Sequence, residues 1–127
     1  MASPIERKRI LVVDDDPDIC KLLKAALRSA GDVEAAQNGS EALARVSRTP
    51  PVHLIICDIM MPELDGIEFV KRLHLLPDVK SVPVFFLTAK GTAPYALAGI
   101  QLGVKAFITK PFVVDELLKK VQKQLRG

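Results

Sequence analysis

The chain has 127 residues, 49% hydrophobic and 26% charged, with no tryptophan and a formal net charge of +3. That is the size of one domain able to bury most of its apolar surface, and the composition excludes a disordered chain and a disulfide-stapled scaffold. No apolar run approaches membrane-spanning length and no apolar signal segment opens the sequence, so membrane partners are not expected and the chain reads as cytoplasmic.

Residues 1 to 8 read as a short lead-in, and 9 to 127 as one domain. Arg9 to Val13 is an apolar, β-branched strand that runs into Asp14-Asp15-Asp16. Pro17 suits the first position of a helix and Asp16 its N-cap. Ile19, Leu22, Leu23, Ala26, Leu27 and Ala30 form one apolar stripe at helical spacing, and Gly31 is expected to close the helix as a left-handed cap. Val33 to Ala36 is a short second strand. Asn38 and Glu41 resemble a capping box opening a helix that buries Ala42, Leu43 and Val46 and stops before Pro50-Pro51.

Leu54 to Cys57 is an apolar run bounded by turn formers, the pattern of a strand buried on both faces, and Asp58 closes it. Asp65 is expected to cap a third helix with Glu68 at its third position. Val82 to Leu87 is a fourth strand ending at Thr88-Ala89, followed by a helix from about Pro94 to Leu102, closed by Gly103. Ala106 to Thr109 is a fifth strand ending at Lys110-Pro111. The last helix starts near Val114, with Leu117, Leu118, Val121 and Leu125 on one face. Cys20 and Cys57 then fall in a helix and a strand, as buried reduced thiols. His53 and His74 are expected at the surface. The clusters Arg7-Lys8-Arg9 and Lys119, Lys120, Lys123, Arg126 lack interleaved aromatics, so nucleic acid is not expected as a partner, and the second cluster reads as a solvated helix face.

Five strands alternating with five helices imply right-handed βαβ crossovers and one parallel sheet with helices on both faces. All strand ends then share one edge. Asp14 and Asp15, Asp58, Thr88 and Lys110 would meet there in one small pocket. Singly, each has a plain structural role; jointly, five polar residues at one sheet edge point to a site. Two carboxylates ~4 Å apart repel by a few kcal/mol at an effective dielectric of ~20. Oxygen ligands without His or Cys point to Mg²⁺, with Mn²⁺ as its substitute.

Val12-Val13-Asp14-Asp15-Asp16, Asp58-Ile59-Met60-Met61-Pro62 through Asp65-Gly66, Leu87-Thr88-Ala89, and Phe107-Ile108-Thr109-Lys110-Pro111-Phe112 occur in that order. With these motifs the chain resembles the receiver domain of two-component response regulators over about residues 9 to 125. The resemblance implies a flavodoxin-like doubly wound α/β fold, with a five-stranded parallel sheet in the order 2-1-3-4-5 and five helices. It implies Asp58 as acceptor of a phosphoryl group from the phosphohistidine of a sensor histidine kinase or histidine phosphotransfer protein. Asp15, Asp58 and the backbone carbonyl of Met60 would ligate Mg²⁺ directly, with Asp14 acting largely through water. Thr88 and Lys110 would hold phosphoryl oxygens, Ala89 would leave the approach open, and Lys110-Pro111 would be cis.

The same resemblance implies a switch in which Thr88 and the aromatic Phe107 reshape the surface of helix 4, strand 5 and helix 5, for a downstream protein or a phosphorylation-dependent dimer. Phe107 has no hydroxyl, where many family members carry tyrosine, and simple core packing accounts for it equally well. Met60 and Lys90, two places beyond Asp58 and Thr88, would crowd the hydrolytic water and lengthen the phosphoryl lifetime. The domain would assist its own phosphorylation without being a conventional enzyme. A metal-independent pseudo-receiver module would lack the acidic pair or the acceptor. A phosphoaspartyl phosphatase needs a second Asp where Met60 stands, and a flavin mononucleotide carrier would find its phosphate repelled by Asp14-Asp15-Asp16.

Overall fold

The structure, a computed structural model, describes residues 7–48, 51–89 and 95–126. Its elements run β1 (Arg9–Val13), α1 (Pro17–Ala26), β2 (Asp32–Ala36), α2 (Gly39–Arg48), β3 (Leu54–Asp58), α3 (Gly66–Leu73), β4 (Val84–Thr88), α4 (Ala96–Gln101), β5 (Ala106–Thr109) and α5 (Val114–Arg126). The strands form one sheet in the order β2-β1-β3-β4-β5, every pair parallel. Architecture and strand order match the expectation.

Strand alternation divides the core in two. Leu11, Val13, Ile55, Cys57, Val84 and Phe86 pack with Phe69, Val70 and Leu73 of α3 and with Ala42 and Val46 of α2. The intervening residues Ile10, Val12, Leu54, Ile56, Phe85 and Leu87 point the other way, onto Leu23 and Leu27 of the α1 region and Leu117 and Val121 of α5. Each fully buried side chain of this size contributes roughly 1.5–3 kcal/mol of transfer free energy. The central strand β3 is buried along all five residues, so Asp58 and the turn after it are placed by rigid backbone.

The helix starts obey the capping chemistry. The Asp16 carboxylate accepts from the Asp18 N–H at 2.9 Å, with Pro17 as first helical residue. Asp65 accepts from the Glu68 N–H at 2.9 Å. Asn38 accepts from Glu41 at 2.8 Å, while the Glu41 side chain returns to the N–H of Gln37, one residue outside the expected box.

Several expectations are corrected. α1 ends at Ala26 instead of running to Ala30, and Leu22 is 43% exposed while Cys20 takes its place inside. Gly31 is not a left-handed cap. A Cβ there would run into the Lys8 carbonyl oxygen, so glycine is needed for close backbone approach. Gly103, with φ +82°, does close its helix that way. β4 begins at Val84 instead of Val82, and β2 begins one residue early, at Asp32. His53 is only partly exposed, because its Nδ1 accepts the Arg9 N–H at 2.9 Å; His74 is exposed as expected. Residues 1 to 6, Pro50, Lys90 and Pro94 lie outside the described residues. Among the described residues, no helix is long and apolar enough to cross a membrane.

Candidate functional site

Register decides which side chains meet. Val13 of β1 pairs with Cys57 of β3, so Asp14 and Asp58, one residue further on, lie level at the carboxyl edge of the sheet. Asp58 pairs with Leu87 and Thr88 with Thr109, which brings Thr88 and Lys110 to the same edge. Backbone bonds extend the ladder past the strands: Asp14 N–H donates to Ala36 O at 3.0 Å and Lys110 N–H to Thr88 O at 2.7 Å. The bond between Lys110 and Pro111 is cis.

Carboxylate oxygens of Asp14, Asp15 and Asp58 all lie within 4.8 Å of one another. Asp14 is fully buried and Asp58 6% exposed, while Asp15 faces solvent. Lys110 Nζ sits 2.8 Å from Asp14 Oδ2 and 3.3 Å from Asp58 Oδ2, bridging the two buried carboxylates. The other oxygens are held by main chain. Asp16 N–H donates to Asp14 Oδ1 at 2.9 Å, and Met60 N–H to Asp58 Oδ1 at 3.3 Å. Unit charges 4.8 Å apart still repel by about 3 kcal/mol at an effective dielectric of ~20. One ammonium against three carboxylates leaves the cluster net negative. Such an all-oxygen donor set fits a hard divalent cation.

The sequence profile described as the response regulator receiver domain matches residues 10–122, nearly the whole chain. The chain belongs to that family. It is 41% identical over 119 residues to the response regulator Rre1 of Synechocystis, covering 92% of this chain and 50% of that protein. It is 38% identical over 125 residues to the transcriptional regulatory protein TrcR of Mycobacterium tuberculosis, covering 98% of this chain and 46% of the relative. The chain thus spans about half the length of these curated relatives. Among solved structures, it superposes on the chemotaxis protein CheY4 of Vibrio cholerae with a TM-score of 0.85, at 33% identity over 94% of this chain and 99% of that one. The signal receiver domain of a histidine kinase from Syntrophus aciditrophicus gives a TM-score of 0.83, at 36% identity over 94% and 91% of the two chains.

Electrostatics in this receiver domain derive from burial. Burial, then the Asp14 charge, raises the Asp58 carboxyl above its ordinary value, against the pull of Lys110 and the Met60 N–H. Burial acts to lower Lys110, but the hydrogen bond and charge of Asp14, followed by those of Asp58, outweigh it and the ammonium is held above its ordinary value. Both thiols lie directly behind the acidic residues. Cys20 Sγ donates to the Asp14 carbonyl at 3.4 Å, and Cys57 Sγ to the Asp58 carbonyl at 3.2 Å. Burial raises both, Cys57 well above the ordinary thiol value, so neither supplies a thiolate nucleophile.

The remaining predicted residues divide. The Thr88 hydroxyl donates to the Ile108 carbonyl at 3.4 Å and is thus turned toward β5. Phe107 points to the α4 side of the sheet and packs edge-on against Phe86, ring centroids 6.1 Å apart. Met60 is 48% exposed beside Asp58. Lys90, its expected companion, lies outside the described residues.

Two positioning features were not read from the sequence. A Cβ on Gly66 would lie 2.7 Å from the Asp58 carbonyl oxygen and 2.9 Å from Ile59 Cα, so this glycine lets α3 start directly behind the acidic residue. Glu63 takes φ +68° in the loop between them, a conformation that costs a bulky residue about 1 kcal/mol or more. The Asp65-Gly66 pair was visible as a turn signal, but the close approach it serves was not. Glu63 left no signal at all.

Proposed function

We propose that this receiver domain takes a phosphoryl group from the phosphohistidine of a sensor histidine kinase or histidine phosphotransfer protein onto Asp58. The observation that carries this reading is the Asp58 carboxylate itself, 6% exposed at the end of the central strand and bridged by Lys110 to a second buried carboxylate. In the transfer the phosphorus–nitrogen bond breaks, an Asp58 carboxylate oxygen forms the new bond to phosphorus, and the departing imidazole nitrogen is left to its own protonation. Such transfers ask the protein for positioning and charge neutralisation more than for covalent help.

Each residue then has a defined task. Asp14, Asp15, Asp58 and the Met60 carbonyl are the groups that would hold Mg²⁺, or Mn²⁺ in its place. Bound there, the cation supplies positive charge against the phosphoryl oxygens. Lys110 already spans Asp14 and Asp58, and its ammonium is placed to follow a new anionic oxygen on Asp58. The Thr88 hydroxyl would leave the Ile108 carbonyl for a phosphoryl oxygen. That motion transmits the modification to Phe107 and to the surface of α4, β5 and α5, where Leu97, Ile100 and Val113 are 63%, 62% and 58% exposed. A downstream protein or a second phosphorylated copy would read this surface. Residues 9–127 act here as one cytoplasmic domain that assists its own modification without being a conventional enzyme. The exposed Met60, together with Lys90, slows hydrolysis by crowding the attacking water; a Met60→Asn, Lys90→Glu variant should lose phosphate faster than wild type.

Intact-mass measurement after incubation with acetyl phosphate and Mg²⁺ tests the core of this reading. Wild type should gain one phosphate and Asp58→Asn none. A phosphate on the Asn variant overturns the assignment.

A further inference from the structure

We infer that Gly99 of α4 is the seat of the Phe107 ring, and that this glycine, rather than Thr88, fixes the ring's inward position before any phosphoryl group arrives. A Cβ on Gly99 would lie 2.8 Å from Phe107 Cζ, 2.9 Å from Cε1 and 3.1 Å from Phe86 Cε2. The Phe107 ring therefore occupies the volume that any other residue at this position would fill with its own side chain. Phe86, fully buried, forms the opposite wall at an interplanar angle of 67°.

The setting explains why glycine matters here. Gly99 is the buried residue of α4, a helix of six residues from Ala96 to Gln101 whose N-cap, Tyr95, makes no side-chain capping bond. Its first turn has no acidic residue and its last turn no basic one, so dipole compensation is also missing. A helix this short, closed by Gly103 but without a side-chain N-cap, is not stable by itself, and glycine is the poorest interior helix former after proline. α4 is held to the body through Ala98, Gly99 and Leu102, which lie on the same core as Phe107, while Leu97 and Ile100 point to solvent. The ring and the helix are thus one packed unit. Thr88, by contrast, has its hydroxyl engaged with the backbone carbonyl of Ile108 in β5.

The part this ring plays in signalling rests on Asp58 being the phosphoacceptor. The ring's position does not, and it is measured in the unmodified protein. Fluorophenylalanine labelling followed by ¹⁹F NMR, with the signal assigned through Phe107→Leu, reports whether the ring stands against Phe86. In Gly99→Ala the Phe107 signal should move toward the solvent-exposed position; in Thr88→Ala it should stay. Unfolding in urea gives an independent readout. Overpacking should make Gly99→Ala lower the folded-to-unfolded ratio by about tenfold in the Phe107 background, and the loss should vanish or reverse in Phe107→Ala, where the slot is empty and alanine favours the helix. An unmoved signal in Gly99→Ala, an equal displacement in Thr88→Ala, or the same loss in both backgrounds overturns the inference. Failure of wild type to take up phosphate would instead count against the acceptor reading and leave the ring measurement standing.

Discussion

Replacing Lys110 with methionine removes one ammonium while keeping most of the side-chain volume. Its Nζ lies 2.8 Å from Asp14 Oδ2 and 3.3 Å from Asp58 Oδ2. At an effective dielectric of ~20 each pair attracts by roughly 5–6 kcal/mol before desolvation is counted. Breaking a buried pair costs about 3–5 kcal/mol in practice. The lysine side chain is 22% exposed, so water softens the loss and ~3 kcal/mol is expected. For a chain of this size that lowers Tm by about 10 °C. Urea and thermal unfolding at pH 7 in a chelating buffer measure it directly. A double cycle with Asp14→Asn should return a coupling of about 2 kcal/mol, and Mg²⁺ should stabilise the variant more than wild type, because it supplies the missing positive charge. The sign with pH comes from the raised Lys110 value: its contribution is complete below the ordinary lysine value and lost as pH rises through the raised one. Wild type should lose stability in that alkaline window and Lys110→Met should not. A variant within about 1 kcal/mol of wild type, or strict additivity with Asp14→Asn, refutes the reasoning.

Other substitutions probe single causes. Asp58→Asn should stabilise the metal-free protein at pH 7 in urea unfolding, since burial and the Asp14 charge penalise the carboxylate by more than Lys110 and the Met60 N–H favour it, and Lys110 keeps its pair with Asp14. That advantage should be complete above the raised Asp58 value and fade as pH falls to the ordinary carboxylate one, below which both states are protonated; a constant gap contradicts the assignment. Gly31→Ala meets the Lys8 carbonyl, a backbone group that cannot rotate away, and should cost about 2 kcal/mol. Gly103→Ala has open space around it but φ +82°, so strain alone should cost about 1 kcal/mol. Equal losses at the two glycines would show the contact is not the cause. Asp65→Ala removes the cap on the Glu68 N–H and should cost about 1 kcal/mol by calorimetry.

The elements most legible in the sequence were those whose cause is local or periodic. Asp16-Pro17 announces a helix start whatever surrounds it, and Leu54 to Cys57, a short apolar run between turn formers, reads as a strand covered on both sides. Alternation of strand and helix sufficed to bring Asp14, Asp15, Asp58, Thr88 and Lys110 to one edge. The strand order came from the family's motifs, since periodicity carries no information about which strands are neighbours. Tertiary causes stayed hidden. Gly31 looks like a helix cap because the Lys8 backbone that crowds it is 23 positions away. Leu22 fits the α1 stripe, but the helix stops at Ala26 and rolls Cys20 inward instead. His53 reads as surface because the N–H it accepts belongs to Arg9, 44 positions away on β1. Gly99 and Gly66 serve contacts that no spacing rule anticipates.

Among the described residues, Asp14 and Asp58 are the two buried polar or charged side chains. The fold therefore confines its electrostatic cost to one place and offsets it with two apolar cores on either side of the sheet. Neither carboxylate can turn away to relieve the repulsion. Asp14 is fixed by the Asp16 N–H and by the Ala36 carbonyl that accepts from its own N–H, and Asp58 by the Met60 N–H and the β3 ladder. Relief comes as positive charge beside the oxygens or as a proton on one of them. Lys110 supplies part of the first from within. Because the same ammonium bridges both carboxylates, any change at Asp58 alters its balance with Asp14, which couples chemistry at one oxygen to the carboxyl end of β5. A site made this way spends stability to hold its charges in register, and the prediction that Asp58→Asn stabilises the protein is the direct measure of that trade.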